Sequence, residues 1–135
     1  MGNWIPNDPT LVAQILKISS SYSPPPPEGF VSPMTWGIES TVIERFAGAG
    51  VPKENISFVK DTFRFNYPGT PSELLGAFRK YYGPTMNAFE AVEKNGRAGD
   101  LQKKLDVMFN SQNKSPNKDA TSIPVTFLRV TAAVN

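Results

Sequence analysis

Neither histidine nor cysteine occurs among the 135 residues. These two absences exclude a Ser-His-Asp or Cys-His nucleophile, a zinc site with the usual ligands, a c-type haem attachment and a disulfide framework. Proton transfer would therefore depend on the 12 carboxylates, on lysine or on the four tyrosines. Any metal ion would need oxygen ligands, and we expect no metal site.

The sequence also has little excess of either charge and no long apolar run. Its 14 Lys and Arg against 12 Asp and Glu give a net charge of +2, and they are scattered along the chain without a basic stripe. We therefore expect no nucleic-acid partner. The short apolar runs and the absence of a basic-apolar start predict no membrane partner and a cytoplasmic protein.

The apolar share of 39%, with nine phenylalanines, is enough to fill one core. We predict a single domain over residues 1–135, with a helix-bearing start at 1–22, a proline-rich connector at 23–35, and helices plus two strands at 36–135. Pro24–Pro27 is interpreted as a stiff polyproline II linker, because the arginine that flanks many SH3 ligands is missing.

Apolar residues at helical spacing predict five helices. They run from Asp8 to about Ser21, from Trp36 to Ala47, from Thr70 or Ser72 to Tyr82, from about Met86 to Val92, and around Leu101–Phe109. In the fourth helix, Met86, Phe89 and Val92 are expected to face inward. Polar residues 111–119 predict an exposed loop.

Two segments read as strands. Ile56–Tyr67 is rich in phenylalanine and β-branched residues, whereas Ile123–Val134 is apolar on both faces and is expected to be central in its sheet. Two strands cannot form a sheet covered on both faces, so a strand that pairs with the second segment should be missing from the chain. The predicted fold is α/β, or α+β for the isolated chain, with helices on an antiparallel strand pair.

Two other patterns are given structural interpretations. Gly48–Gly50 is interpreted as the end of a helix, because it follows a predicted helix and precedes a predicted strand. A nucleotide-binding loop would instead follow a strand and open a helix. The pairs Glu90 with Glu93 and Glu39 with Glu44 read as solvated helix faces.

Tryptophan and tyrosine combine apolar area with one donor, which suits a pocket for a planar or hydrophobic molecule. Core packing is the alternative, and it is favoured for Phe65. For Trp36 and for the Tyr81–Thr85 corner, the choice between core packing and a ligand pocket stays open. The aromatic set comprises Trp4, Trp36, Phe65, Tyr67, Tyr81 and Tyr82.

Several motifs in order resemble the C-terminal half of a class I S-adenosylmethionine-dependent methyltransferase of the small-molecule type. They are Asn3–Pro6, Ser23–Pro27, Ser32–Pro33, Trp36–Gly37, Phe65–Pro68, Ser72–Glu73 before Phe78, and Tyr81–Thr85. The resemblance implies that Ile56–Tyr67 is strand six and Ile123–Val134 is strand seven, which inserts between strands five and six. Residues 1–5 would be the tail of strand five.

The resemblance also implies what the chain can do. The glycine-rich turn and the acidic residue that bind the cofactor in this family lie in a half that is not among these residues. S-adenosylmethionine therefore belongs to the parent family, and we expect no cofactor, no catalytic residue and no methyl transfer for this chain alone. The implied walls of the pocket for a small-molecule acceptor are Trp4, Trp36, Tyr81, Tyr82 and Asn87.

A strand seven without strand five would expose an apolar sheet edge, which tends to recruit another strand. We therefore predict a homodimer or swapped oligomer through Ile123–Val134 or the first helix. Two other functions stay open: a module that binds a small hydrophobic ligand or another protein, and one subunit of a split methyltransferase.

Overall fold

In the computed structural model, which describes residues 1–134, the chain forms five α-helices and one three-stranded antiparallel sheet. The fold is therefore α+β. Asn135, the last residue of the predicted domain, lies outside the described residues. The elements are β1 Gly2–Trp4, α1 Leu11–Tyr22, α2 Glu39–Gly48, β2 Ile56–Tyr67, α3 Pro71–Tyr81, α4 Gly83–Glu93, α5 Ala98–Gln112 and β3 Thr121–Ala132.

The helices follow the predicted periodicity, with local differences at their ends. Thr70 begins α3 with a capping box, in which its hydroxyl accepts from the Glu73 N–H and the Glu73 carboxylate accepts from the Thr70 N–H. Trp36 lies outside α2, because Pro33–Gly37 forms a 3₁₀ turn and Ile38 is extended. The expectation that Met86 faces inward is wrong, since its side chain is 43% exposed.

The end of α2 is set by glycine, as the sequence indicates. Gly50 has a φ of +84°, the N–H of Val51 donates to the carbonyl of Phe46 at 2.9 Å, and the N–H of Gly50 donates to the carbonyl of Ala47 at 3.0 Å. This is a Schellman motif, which satisfies the last helical carbonyls and suits glycine at the left-handed position.

The sheet has the order β1-β3-β2, so β3 is central, as its apolar pattern predicts. β2 pairs with β3 along its full length, from Ile56 opposite Ala132 to Tyr67 opposite Thr121. The sheet has three strands and not the expected pair, because β1 pairs with residues 127–129 of β3.

The N-terminal half of β3 also has a neighbour on the side where β1 ends. The Thr10 hydroxyl, just before α1, accepts from the Thr126 backbone N–H at 2.9 Å. On this side β3 therefore has neighbours at residues 126–129, which leaves a shorter free edge than the prediction of self-association assumed. Within residues 1–134, the strands that pair on one side only are β1 and β2.

The two faces of the sheet are covered by different helices at different ends. Odd-numbered residues of β2 and β3 share one face, here called the front face, and even-numbered residues share the back face. On the front face, Ile123 and Val125 are buried in a large core with residues of α1, α3, α4 and α5. On the back face, Leu128 and Val130 are buried in a smaller core with Val42 of α2.

Candidate functional site

An aromatic groove opens on the front face, between α1, α3 and the sheet. Its volume is about 360 Å³, which lies in the usual range of small-molecule sites. The walls are formed by Trp4, Val12, Phe65, Leu74, Ala77, Phe78, Tyr81 and Tyr82.

Regular spacing brings these side chains together. On α3, residues 74, 78 and 82 follow one another at intervals of four, which places them on one face of the helix and its end. Phe65 belongs to the front face of β2, and Trp4 is on the same face because it lies opposite Phe127. The groove therefore lies where the front face meets α3.

Edge-to-face contacts hold the aromatic walls in place. The ring of Phe78 lies 6.0 Å from Phe65, 5.3 Å from Tyr82 and 5.5 Å from Phe109, with interplanar angles of 73–88°. Such arrangements are favourable between aromatic rings. Because Phe109 is fully buried, Phe78 is anchored to the core and gives the groove a fixed wall.

A second cavity of about 380 Å³ adjoins the groove and shares Trp4 and Phe65 with it. Its other walls are Gly2, Phe63 and Phe127. The rings of Trp4 and Phe127 lie 6.4 Å apart, and those of Phe63 and Phe65 lie 5.4 Å apart. Together the two cavities make a continuous aromatic surface.

Three of the five residues expected to line an acceptor pocket lie in the groove: Trp4, Tyr81 and Tyr82. Asn87 is exposed on α4 and does not belong to the walls, because α4 turns Ala88 and Phe89 towards the core.

Trp36 is also placed elsewhere. It packs against the smaller core on the back face, its ring lies 6.3 Å from Phe46, and the Arg45 guanidinium carbon lies 4.4 Å from its ring centroid. A stacked cation of this kind stabilises the ring in a packed position. Trp36 therefore has a packing role and is separated from Trp4 by the sheet.

The groove residues that the sequence did not predict are mostly aliphatic, and their pattern is typical of core residues. Val12, Leu74, Ala77 and Phe78 carry no chemical signal of a ligand site. The spacing of four between Leu74, Phe78 and Tyr82 is a signal for one apolar helix face, but the same spacing is typical of a buried helix.

The groove is electrically neutral along its walls. No charged side chain belongs to its lining, and the polar groups there are the Trp4 indole N–H and the hydroxyls of Tyr81 and Tyr82. Burial raises the pKa of the Tyr82 phenol above its ordinary value. The arrangement can bind a ring and orient it, and it offers no carboxylate or amine as a base.

The carboxylates outside the groove are exposed or half-buried, and they are dispersed. Glu93 pairs with Arg79 at 3.3 Å on the surface, and no group of three acidic residues within positions 1–134 is arranged to hold a metal ion. In the same part of the chain, no helix has the length and apolarity needed to cross a membrane.

Comparison with known proteins gives no match. The chain fits no model of a protein family, and it is similar to no curated protein and to no solved structure.

Proposed function

We propose that this chain forms the acceptor-substrate part of a class I S-adenosylmethionine-dependent methyltransferase, and that its aromatic groove binds a neutral, planar acceptor. The sheet order is the observation that carries the proposal. β3, the last strand, lies antiparallel between β1 and β2, and this is the position that the sequence resemblance implies for strand seven.

The groove supplies a further argument. Trp4, Phe78 and Tyr82 present fixed aromatic surfaces, and the lack of charge favours a neutral ring over an ionised one. Holding an acceptor in a fixed orientation is itself a catalytic contribution, because a well-oriented encounter has a much lower entropic barrier than a free one.

The groove does not fit the cofactor. A site for S-adenosylmethionine needs hydrogen-bonding partners for the ribose hydroxyls and the charged amino acid end, whereas the groove walls contain no charged side chain. We therefore assign acceptor binding to these residues and assign them no step of methyl transfer. The cofactor would be held by a segment outside these 135 residues, in the same protein or in a partner subunit.

A binding module without chemistry is the second candidate, because the same neutral groove would suit it. Self-association stays a prediction. β1 and β2 each pair on one side only, so their outer edges are available to a second copy. A cytoplasmic location also stays a prediction.

Isothermal titration calorimetry tests the proposal. We expect 1-naphthol, a neutral planar ring, to bind the wild-type chain, and S-adenosylmethionine to give no heat with the chain alone. The variant Tyr81→Ala should weaken naphthol binding about threefold to tenfold, which is the loss of about 1 kcal/mol for one exposed aromatic contact.

Asn87→Ala is the matched control, because Asn87 is also exposed and lies outside the groove. It should bind naphthol as the wild type does. Absence of naphthol binding, or strong binding of S-adenosylmethionine to the chain alone, would contradict the proposal. Methylation of an acceptor only after a cofactor-binding partner is added would favour the methyltransferase over the module without chemistry.

A further inference from the structure

The second cavity lies on a part of the front face that the helices leave uncovered. α1, α3, α4 and α5 bury Ile123 and Val125 on the central strand, whereas on the neighbouring strand β2 Phe63, opposite Val125, is 56% exposed and Val59 is 50% exposed. Exposed apolar side chains that adjoin one another and line a cavity are typical of interaction and ligand-binding surfaces.

The floor of this cavity depends on a glycine. A Cβ added at Gly2 would lie 3.3 Å from Cδ2 of Phe127, which is closer than an ordinary contact. Because Gly2 has no side chain, the Phe127 ring can lie against the backbone of β1 and the space above both stays open. A larger side chain at residue 2 would fill part of that space.

The chemistry of the walls selects an apolar occupant. Trp4 contributes the indole N–H as the one polar side-chain group, and the other walls are glycine and phenylalanine. Beyond the cavity, Asp61 lies opposite Phe127 in the β ladder and pairs with Arg129 at 2.6 Å. This ion pair is neutral overall and marks where the apolar surface ends.

We infer that the second cavity is a subsite for an unbranched apolar chain attached to the ring that the groove binds. The acceptor class is then a neutral aromatic ring with an unbranched alkyl tail. The inference rests on the proposed function for the ring, and on the position of the two cavities side by side, with Trp4 and Phe65 as walls of both.

A series of 4-alkylphenols tests the tail subsite. Calorimetric titration with phenol, 4-ethylphenol, 4-butylphenol and 4-hexylphenol should show affinity rising with each methylene. Full burial of one methylene is expected to tighten binding about threefold to fourfold. The increase should become smaller once the chain passes the apolar walls. If phenol and naphthol bind but the longer chains bind no tighter, the tail subsite is wrong and the ring site stands. If none of these compounds binds, the proposed function itself fails.

Two variants test whether the second cavity causes the increase of affinity with chain length. Gly2→Leu should leave phenol affinity within about twofold of the wild type and remove most of the gain from butyl to hexyl, because the added side chain occupies the tail path. Phe63→Ala should reduce the same gain about twofold to fivefold by removing one wall. Circular dichroism and thermal melts establish that each variant is folded, and Phe63→Ala provides the test if Gly2→Leu does not fold.

Val59→Ala is the matched control, since Val59 is as exposed as Phe63 on the same face of β2 but is not a wall of the cavity. An equal loss of chain-length gain in Val59→Ala and Phe63→Ala would overturn the assignment. Sedimentation of the wild type at several concentrations tests whether a second copy of the chain occupies this surface instead of a ligand. A dimer that Gly2→Leu disrupts would assign the surface to a second copy and would also overturn the inference.

Discussion

The two faces of β3 differ in what covers them and in what they leave open. Ile123 and Val125 on the front face belong to a core built by four helices, whereas Leu128 and Val130 on the back face belong to a smaller core under α2. The strand is therefore buried on both faces, but at opposite ends. An apolar pattern on both faces does not require that both be covered along the whole length.

This offset places the candidate site. On β3 the helices bury Ile123 and Val125, whereas Phe127, further along the same face, is half-buried and lines the open second cavity. The groove and the second cavity lie at that boundary, where aromatic side chains are anchored on one side and open on the other. The back face at the same end is closed by Trp36, Phe46 and their neighbours.

The largest effect is expected from the front core. Phe109 is fully buried and its ring contacts Phe78. The substitution Phe109→Ala removes a large side chain and leaves a cavity, and it should lower the free energy of unfolding by about 3–5 kcal/mol. Urea denaturation measures this loss. A loss below about 1 kcal/mol would show that the four helices do not form the main core.

A smaller effect is expected from the back core. Leu128→Ala should lower the free energy of unfolding by about 2 kcal/mol, at the low end for a buried leucine, because the smaller core can relax more easily around the lost atoms. Hydrogen exchange should show α2 losing protection while α5 keeps it. Equal loss of protection in both helices would mean that the two cores open as one unit.

The smallest effect concerns pH and the groove. Burial raises the pKa of Tyr82. The unfolded chain releases this phenol proton near pH ~10, whereas the folded chain holds it to higher pH. The stability linked to this proton is therefore full below pH ~10 and is lost as pH rises through the folded pKa.

Tyr82→Phe removes that linkage. Between about pH 9 and 11, its stability should fall less steeply than that of the wild type in urea denaturation, while the two slopes should agree between about pH 6 and 8. Parallel curves over the alkaline range would show that Tyr82 is not buried against the groove.

Much of the fold follows from local patterns in the sequence. The bounds of β2 are those predicted, and the central position of β3 follows from its two apolar faces. Capping by Thr70 and the glycine end of α2 follow from their local chemistry. These features depend on neighbouring residues, which is why a sequence read alone can indicate them.

Long-range features are harder to predict. β1 has three residues, too few for a strand signal, and its pairing with residues 127–129 depends on contacts across the whole chain. The two tryptophans look alike in sequence, yet Trp4 lies at the groove and Trp36 in the back core. Their separation depends on which face of the sheet each segment reaches, and no local pattern encodes that.

We propose that the front face carries an open ligand site and that the back face carries a closed core. Each face has one tryptophan, whose fluorescence reports on that face. In Trp36→Phe only Trp4 emits, and in Trp4→Phe only Trp36 emits. Acrylamide quenching of each variant, with and without saturating 4-butylphenol and with excitation at the red edge of tryptophan absorption, tests the claim directly. The ligand should protect Trp4 from acrylamide and leave the quenching of Trp36 unchanged. Protection of Trp36, or no protection of Trp4, would contradict it.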